Sequence, residues 1–208
     1  MTEKIIATSG RFAPFGNQHG SMVKYFAEEY GADQVYVITQ DNHERTPKNP
    51  FTGEEKEKMI ELAFKDYKTE NYRVEPIIAD NPFQKDALKR LGGSFTYFTR
   101  EKKWKNIAET AKQLYKTSGI DIGVIYQPRE VEKPYKKMRE QGWEITLSST
   151  EIRQKIVKDK RWEYDVSPSV RDYIKQLDKA IDAMKPLEEQ EGEESNKHFK
   201  GVVNLLEP

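Results

Sequence analysis

Short apolar runs punctuate the chain at regular intervals, and an amphipathic stretch follows nearly every one. The runs are residues 5–8, 35–39, 74–79, 95–99, 122–126 and 143–147, too short for helices and rich in β-branched and aromatic side chains. Between them, apolar positions recur at helical spacing over residues 21–30, 52–66, 84–91, 104–115 and 131–140. Further helices are predicted to open at Ser148 and at Ser167-Pro168, where a serine N-cap precedes proline at the first helical position. Six short runs alternating with helices predict an α/β fold, a Rossmann-like open parallel sheet with helices on both faces. Right-handed crossovers then put every strand C-terminus on one edge, where ligands of such sheets bind.

The 208 residues suit one ordinary domain rather than two. That domain is placed at residues 1–184, because the composition shifts beyond Lys185-Pro186: residues 187–195 carry five glutamates and no large apolar side chain after Leu187. Residues 185–208 are therefore expected to form a flexible acidic linker and a C-terminal tail. Over the whole chain 35 basic and 35 acidic side chains cancel, so no global field draws the molecule to nucleic acid or to an anionic membrane. Any anion it binds must be met by local charges. The absence of cysteine excludes disulfides, thiolate metal sites and cysteine nucleophiles. No apolar run approaches a membrane span, and the four small or apolar residues between Lys4 and Ser9 are too few for a signal peptide, so a cytoplasmic protein is expected.

The first run passes straight into Ser9-Gly10-Arg11-Phe12-Ala13-Pro14-Phe15-Gly16-Asn17-Gln18-His19-Gly20. This long, glycine-punctuated loop brings an arginine, a histidine and the open N–H groups of a helix start to the ligand-binding edge, and all of these bind anions. It is neither a Walker loop nor a Gly-x-Gly-x-x-Gly turn, because the glycine spacing is wrong and no Gly-Lys-Ser/Thr follows. On a blander reading, Gly10 and Gly16 only permit tight turns and His19 caps or packs. A second element is Leu147-Ser148-Ser149-Thr150-Glu151-Ile152-Arg153, where Ser148 and Glu151 have the spacing of a capping box. Arg153 goes beyond a cap: a cation in the first turns of a helix opposes the macrodipole unless an anion lies between. Hydroxyls, open amides and a guanidinium at one helix start make a phosphate cradle.

Gly10-Arg11-Phe12-x-Pro14-Phe15, closed by His19, resembles the N-terminal signature of the nucleotidyltransferase superfamily that contains nicotinamide mononucleotide adenylyltransferases. Ser148-Ser149-Thr150-Glu151-Ile152-Arg153 matches that superfamily's Ser-Ser/Thr-x-x-Ile-Arg signature, and Asn49-Pro50-Phe51-Thr52 resembles a segment common in its archaeal-type adenylyltransferases. The resemblance spans residues 4–175 in the same order and implies the nucleotidyltransferase type of Rossmann-like sheet. One departure matters. The family usually ends the loop as His-x-Gly-His or Thr-x-x-His, and Gly16-Asn17-Gln18-His19 keeps only the last position. The side-chain donor at the first position is missing unless Asn17, Gln18 or a backbone amide replaces it.

The resemblance implies an enzyme that transfers AMP from ATP to nicotinamide mononucleotide, releasing pyrophosphate. It implies catalytic roles for His19 on the α- and β-phosphates and for Arg11 and Arg153 on the triphosphate, with Gly10, Phe12, Ser148, Ser149 and Thr150 completing the ATP site. Mg2+ would bridge phosphates, held by substrate oxygens and water. For the phosphorylated acceptor the candidates are Asn49, Lys56, Arg45 and Trp104. Lys56 stands where the archaeal-type pattern places an arginine that contacts the mononucleotide phosphate; the competing reading makes Thr52 and Glu55 a capping box and Lys56 a solvated helix charge. Trp104 either stacks on a ring of a substrate or belongs to the core. A homo-oligomer is compatible with the resemblance, since the family often forms them.

Two rivals stay open on the sequence alone. A cytidylyltransferase of the same superfamily would use CTP and a phosphorylated alcohol, and such enzymes typically carry Arg-Thr-x-Gly-Ile-Ser-Thr-Thr where this chain reads Glu144-Ile145-Thr146-Leu147-Ser148-Ser149-Thr150. A non-catalytic nucleotide-binding module would carry Gly16 as its lesion. His43 and His198 lack partners at metal-ligand spacing and are expected to face solvent. The basic cluster at residues 100–105 is interrupted by Glu101 and Trp104 and forms no nucleic-acid motif.

Overall fold

A computed structural model of the chain describes residues 3–42, 44–128, 136, 140 and 148–186. Five strands, β1 (Ile5–Gly10), β2 (Gln34–Thr39), β3 (Arg73–Ile78), β4 (Ser94–Thr99) and β5 (Asp121–Tyr126), form one sheet in the order β3-β2-β1-β4-β5. Every neighbouring pair is parallel. The expected open parallel sheet is therefore present. The helix expected over residues 131–140, the strand over 143–147, the acidic tail, His43 and His198 lie outside the described residues, Lys136 and Glu140 excepted.

Period-two alternation along the strands divides the apolar side chains between two cores. Ile6, Val35, Val37 and Phe98 face one, packed against α1 (Asn17–Tyr30) and α2 (Gly53–Tyr67). Ala7, Ile38, Ile77, Phe95, Tyr97 and Ile122 face the other, covered by α3 (Lys85–Leu91) and α4 (Lys102–Tyr115). Three short helices, α5 (Ser149–Val157), α6 (Pro168–Ile174) and α7 (Asp178–Met184), add Ile152, Val170, Ile174, Ala180 and Met184 to the first core. The chain runs outward from β1 through β2 to β3, then crosses back to lay β4 on the other side of β1. That reversal opens a crevice at the C-terminal ends of β1 and β4.

Helix α1 starts four residues before its expected position, at Asn17 rather than Ser21. Two glycines disguise the start. Gly16 serves as N-cap, and the Asn17 N–H donates to the Asp165 carbonyl at 2.8 Å. Gly20 lies within the helix because the Tyr67 ring of α2 presses on it: a Cβ there would stand 2.1 Å from Tyr67 Cε2. The Tyr67 hydroxyl then donates to Asn17 Oδ1 at 3.0 Å, fixing the first turn of α1 to α2. Ser167 is the N-cap residue of α6 as expected, but its hydroxyl makes no capping bond. Asp66 of α2 supplies the cap instead, accepting from the Ser169 N–H at 2.8 Å and from the Ser169 hydroxyl at 2.7 Å.

Candidate active site

A cleft of about 210 Å³ opens at the reversal point of the sheet. The loop after β1 forms one wall, the segment after β4 another, and the start of α5 the third. Of the residues singled out in the sequence, Gly10, Arg11, Phe12, His19, Trp104, Ser148, Ser149, Thr150 and Arg153 all line it. The two signatures, some 140 residues apart, thus meet in one place.

The loop is shaped by close packing. Phe12 adopts a left-handed backbone with φ of 44°, an unfavourable conformation for a bulky side chain. Its ring folds back over Gly10, where a Cβ would stand 2.8 Å from the Phe12 ring, and meets Phe15 and His19 edge-on. The Gly16 N–H donates to His19 Nδ1 at 3.0 Å. Because Nδ1 accepts, the neutral imidazole carries its proton on Nε2, so the ring presents a donor there. His19 therefore caps and packs as the blander reading foresaw, and it also lines the cleft.

Arg153 joins the two signatures. Its guanidinium is buried and donates to the Ala13 carbonyl and to the Thr150 hydroxyl, the latter at 3.1 Å, while Nε has no partner. Among the described residues no carboxylate pairs with it. Burial, together with the nearby Arg11 guanidinium, lowers its pKa to about 10. It still carries its charge at neutral pH. Two guanidiniums held near one another without a paired carboxylate make a field that an anion relieves.

The hydroxyls of the second signature do more structural work than the sequence suggests. Ser149 Oγ donates to the Pro14 carbonyl at 3.0 Å, fastening α5 to the first loop. Ser148 Oγ accepts from the Glu151 N–H and donates to its carboxylate. The Glu151 side chain thus turns to the serine hydroxyl, and the expected capping box is only half formed. The Glu151 N–H is thereby taken, while Ser149 and Thr150, whose N–H groups have no acceptor within the helix, line the cleft. On the cleft floor Ser9 shares a 2.6 Å hydrogen bond with Tyr97, whose hydroxyl burial pushes up to about 12, so it stays neutral.

The acceptor candidates are divided. Trp104 packs against the second core and also lines the cleft. Arg45, Asn49 and Lys56 do not line it. Arg45 makes a bidentate pair with Glu55 at 2.6 and 2.7 Å and donates to the Pro50 carbonyl, closing the loop onto the start of α2. Burial would raise the Glu55 carboxyl, but the bonds from Arg45 and the Thr52 N–H outweigh it and hold it below its ordinary value. Asn49 closes a turn with Thr46. Thr52 and Glu55 form the expected capping box. Lys56 is not a solvated charge: it is 0% exposed, donates to the Gln40 carbonyl at 2.6 Å, and burial lowers its pKa to about 8 against the opposing pull of Asp41 and Asp80.

Gln18, Met22, Thr99, Arg100 and Glu101 also line the cleft. The last three lie at and just beyond the C-terminal end of β4, and only the strand order reveals that β4 lies beside β1. Glu101 is the one carboxylate lining the cleft among the described residues, and no cluster of three metal-ligating side chains occurs among them. Nor is any described helix long and apolar enough to cross a membrane.

A nicotinamide-nucleotide adenylyltransferase from Picrophilus torridus is 26% identical over 172 residues, 81% of this chain and 89% of that one. A nicotinamide-nucleotide adenylyltransferase from Methanococcus vannielii is 27% identical over 183 residues, 88% of this chain and 94% of that one. The fold matches the crystal structure of a bifunctional NMN adenylyltransferase/ADP ribose pyrophosphatase from Francisella tularensis with a TM-score of 0.61 at 15% identity. The match covers 100% of this chain and 58% of that longer protein. A second structure of that bifunctional protein, complexed with AMP and a manganese ion, aligns with a TM-score of 0.57 at 16% identity, over 96% of this chain and 56% of that protein. The cytidylyltransferase-like family model matches residues 7–155, which takes in the three walls of the cleft and all of the sheet but the first two residues of β1, and the chain belongs to that family.

Proposed function

We propose that this protein is a cytoplasmic adenylyltransferase that joins ATP to nicotinamide mononucleotide, forming NAD and pyrophosphate. The observation that carries the reading is the convergence of Arg11, His19 and the buried, carboxylate-free Arg153 on one cleft at the sheet reversal. The names of the relatives point to adenylyl rather than cytidylyl transfer.

In the reaction an oxygen of the acceptor phosphate attacks the α-phosphorus of ATP in line, and the bond from that phosphorus to the β-bridging oxygen breaks. The acceptor oxygen is already anionic, so no base is required. Catalysis consists of holding two repelling anions together and stabilising charge as it moves toward the leaving pyrophosphate. Arg153 and Arg11 meet the polyphosphate, His19 offers Nε2–H to the α- and β-phosphate oxygens, and the α5 amides receive the remaining charge. With Glu101 the one described carboxylate lining the cleft, the residues suit Mg2+ carried in on the nucleotide, coordinated mainly by phosphate oxygens and water. When bound with the nucleotide, Mg2+ would supply further charge neutralisation. Trp104 is positioned to stack on a substrate ring. Arg45, in the loop before α2, and Lys56, within α2, lie outside the cleft with their charged groups turned to Glu55 and to the Gln40 carbonyl.

The test is pyrophosphate release from the purified chain with Mg2+, either ATP or CTP, and a panel of phosphorylated acceptors. Release with ATP plus nicotinamide mononucleotide supports the proposal. Release confined to CTP and a phosphorylated alcohol replaces it with the cytidylyltransferase reading, and nucleotide binding without release replaces it with a binding module.

A further inference from the structure

Position 16, where the related pattern carries histidine or threonine, is glycine here, and position 18, where the pattern His-x-Gly-His carries glycine, is glutamine. These two departures are coupled in space. A Cβ built on Gly16 would stand 2.3 Å from Gln18 Oε1 and 2.6 Å from Ile152 Cδ1. The end of the Gln18 side chain thus occupies the volume through which a side chain at position 16 would pass. Gly16 itself has an ordinary extended backbone, φ −95° and ψ 171°, so the glycine is required for space and not for conformation.

The amide that fills this volume is unusual. Gln18 is 4% exposed, and neither its Nε2 nor its Oε1 has a hydrogen-bond partner. A buried amide left unpaired on both atoms destabilises a fold, and such groups are rare unless a ligand completes them. Gln18 borders the cleft beside His19 and Arg153, both already committed to phosphate chemistry by the reading above. A primary amide there offers two N–H donors to an anion and accepts no charge.

Resting on that reading, we infer that Gln18 is a further phosphate-binding residue: its Nε2 donates to the polyphosphate of bound nucleotide and replaces the side-chain donor that Gly16 lacks. Loss at one position of the loop is compensated from two residues along the same turn of helix.

The experiment compares the full-length wild type with Gln18→Met, Gly16→His and the double variant Gly16→His/Gln18→Gly, measuring pyrophosphate release, Mg·ATP binding by calorimetry and thermal unfolding. Methionine keeps the volume and removes the unpaired amide, so Gln18→Met should melt at the wild-type temperature or above it while losing about a hundredfold in turnover. Gly16→His alone should be impaired, because the imidazole and the amide contend for one space. The double variant restores the related pattern and removes the amide, so that only the end of the Ile152 side chain, 2.6 Å from a Cβ at position 16, must turn aside, and it should recover most of the lost turnover. Wild-type turnover in Gln18→Met, or failure of the double variant to exceed Gly16→His, overturns the inference while leaving the adenylyltransferase reading intact. If the wild type binds Mg·ATP without turnover, that reading falls and binding decides the inference: at least a tenfold loss of ATP affinity in Gln18→Met supports it and unchanged affinity overturns it. A wild type that binds no ATP overturns both.

Discussion

Arg153 illustrates how a single residue can be legible in sequence and still misjudged. The sequence marks it as a cation on the wrong end of a helix, which is a sound reason to expect an anion. What it does not reveal is that the guanidinium also braces the loop after β1 through the Ala13 carbonyl. Replacing it separates these roles. Arg153→Met should lower pyrophosphate release about a hundredfold or more, while the melting temperature shifts by about 5 °C or less, because the charge it removes is buried without a carboxylate partner. A collapse of the fold with activity lost only in proportion would show that bracing is its whole task. Lys56 gives the opposite lesson, since a lysine among glutamates on an amphipathic helix gives no sign of complete burial. Its folded pKa near 8 lies below its ordinary 10.5. Below about pH 8 both states hold the proton and the buried charge costs a constant amount; between there and 10.5 the unfolded state binds more protons, so this residue's contribution to stability rises with pH. Relative to Lys56→Met, the wild type should therefore gain on the order of 3 kcal/mol across that window in denaturant titrations. A difference that is flat with pH contradicts the burial.

At the scale of elements, apolar periodicity located β1 to β5 and α1 to α4, and its errors fall where tertiary contacts override local signals. The start of helix α1 was hidden because Gly16 and Gly20 resemble loop residues, whereas one makes room for Gln18 and the other for Tyr67. Gly20→Ala decides between the two views of that position. In an unconstrained helix the change would stabilise by about 1 kcal/mol. Against the Tyr67 ring, with 2.1 Å available, overpacking should dominate and destabilise by about 1–3 kcal/mol, measured by urea unfolding. A stabilised variant would mean that α1 and α2 are less closely joined than described. The cap of α6 teaches the same point: Asp66, 103 residues from Ser169, does what Ser167 was expected to do, and no local pattern contains that information. Helix α7 opens at Leu177, which has no capping side chain, so no start signal marks it in the sequence.

For the whole molecule, alternation of strand and helix implies a parallel sheet but not the order in which its strands lie. That order, β3-β2-β1-β4-β5, is what places Thr99, Arg100 and Glu101 opposite the loop after β1 and so completes the cleft. The residues of two cleft walls were readable because two spaced signatures each carry their own physical reason to meet an anion. The placement of Arg45, Asn49 and Lys56 away from the cleft was not, because they were chosen by position along a segment in which the Arg45 and Lys56 side chains turn to Glu55 and Gln40 and the Asn49 backbone N–H to Thr46. The account as a whole comes down to one reaction at the sheet reversal. Phosphorus NMR of the full-length chain mixed with ATP, nicotinamide mononucleotide and Mg2+ observes that reaction without any coupled enzyme. The account predicts the diphosphate resonances of NAD growing in step with pyrophosphate, and a rate at least a hundredfold lower for His19→Ala. ATP that stays intact beside the acceptor, or a His19→Ala rate equal to wild type, would contradict it.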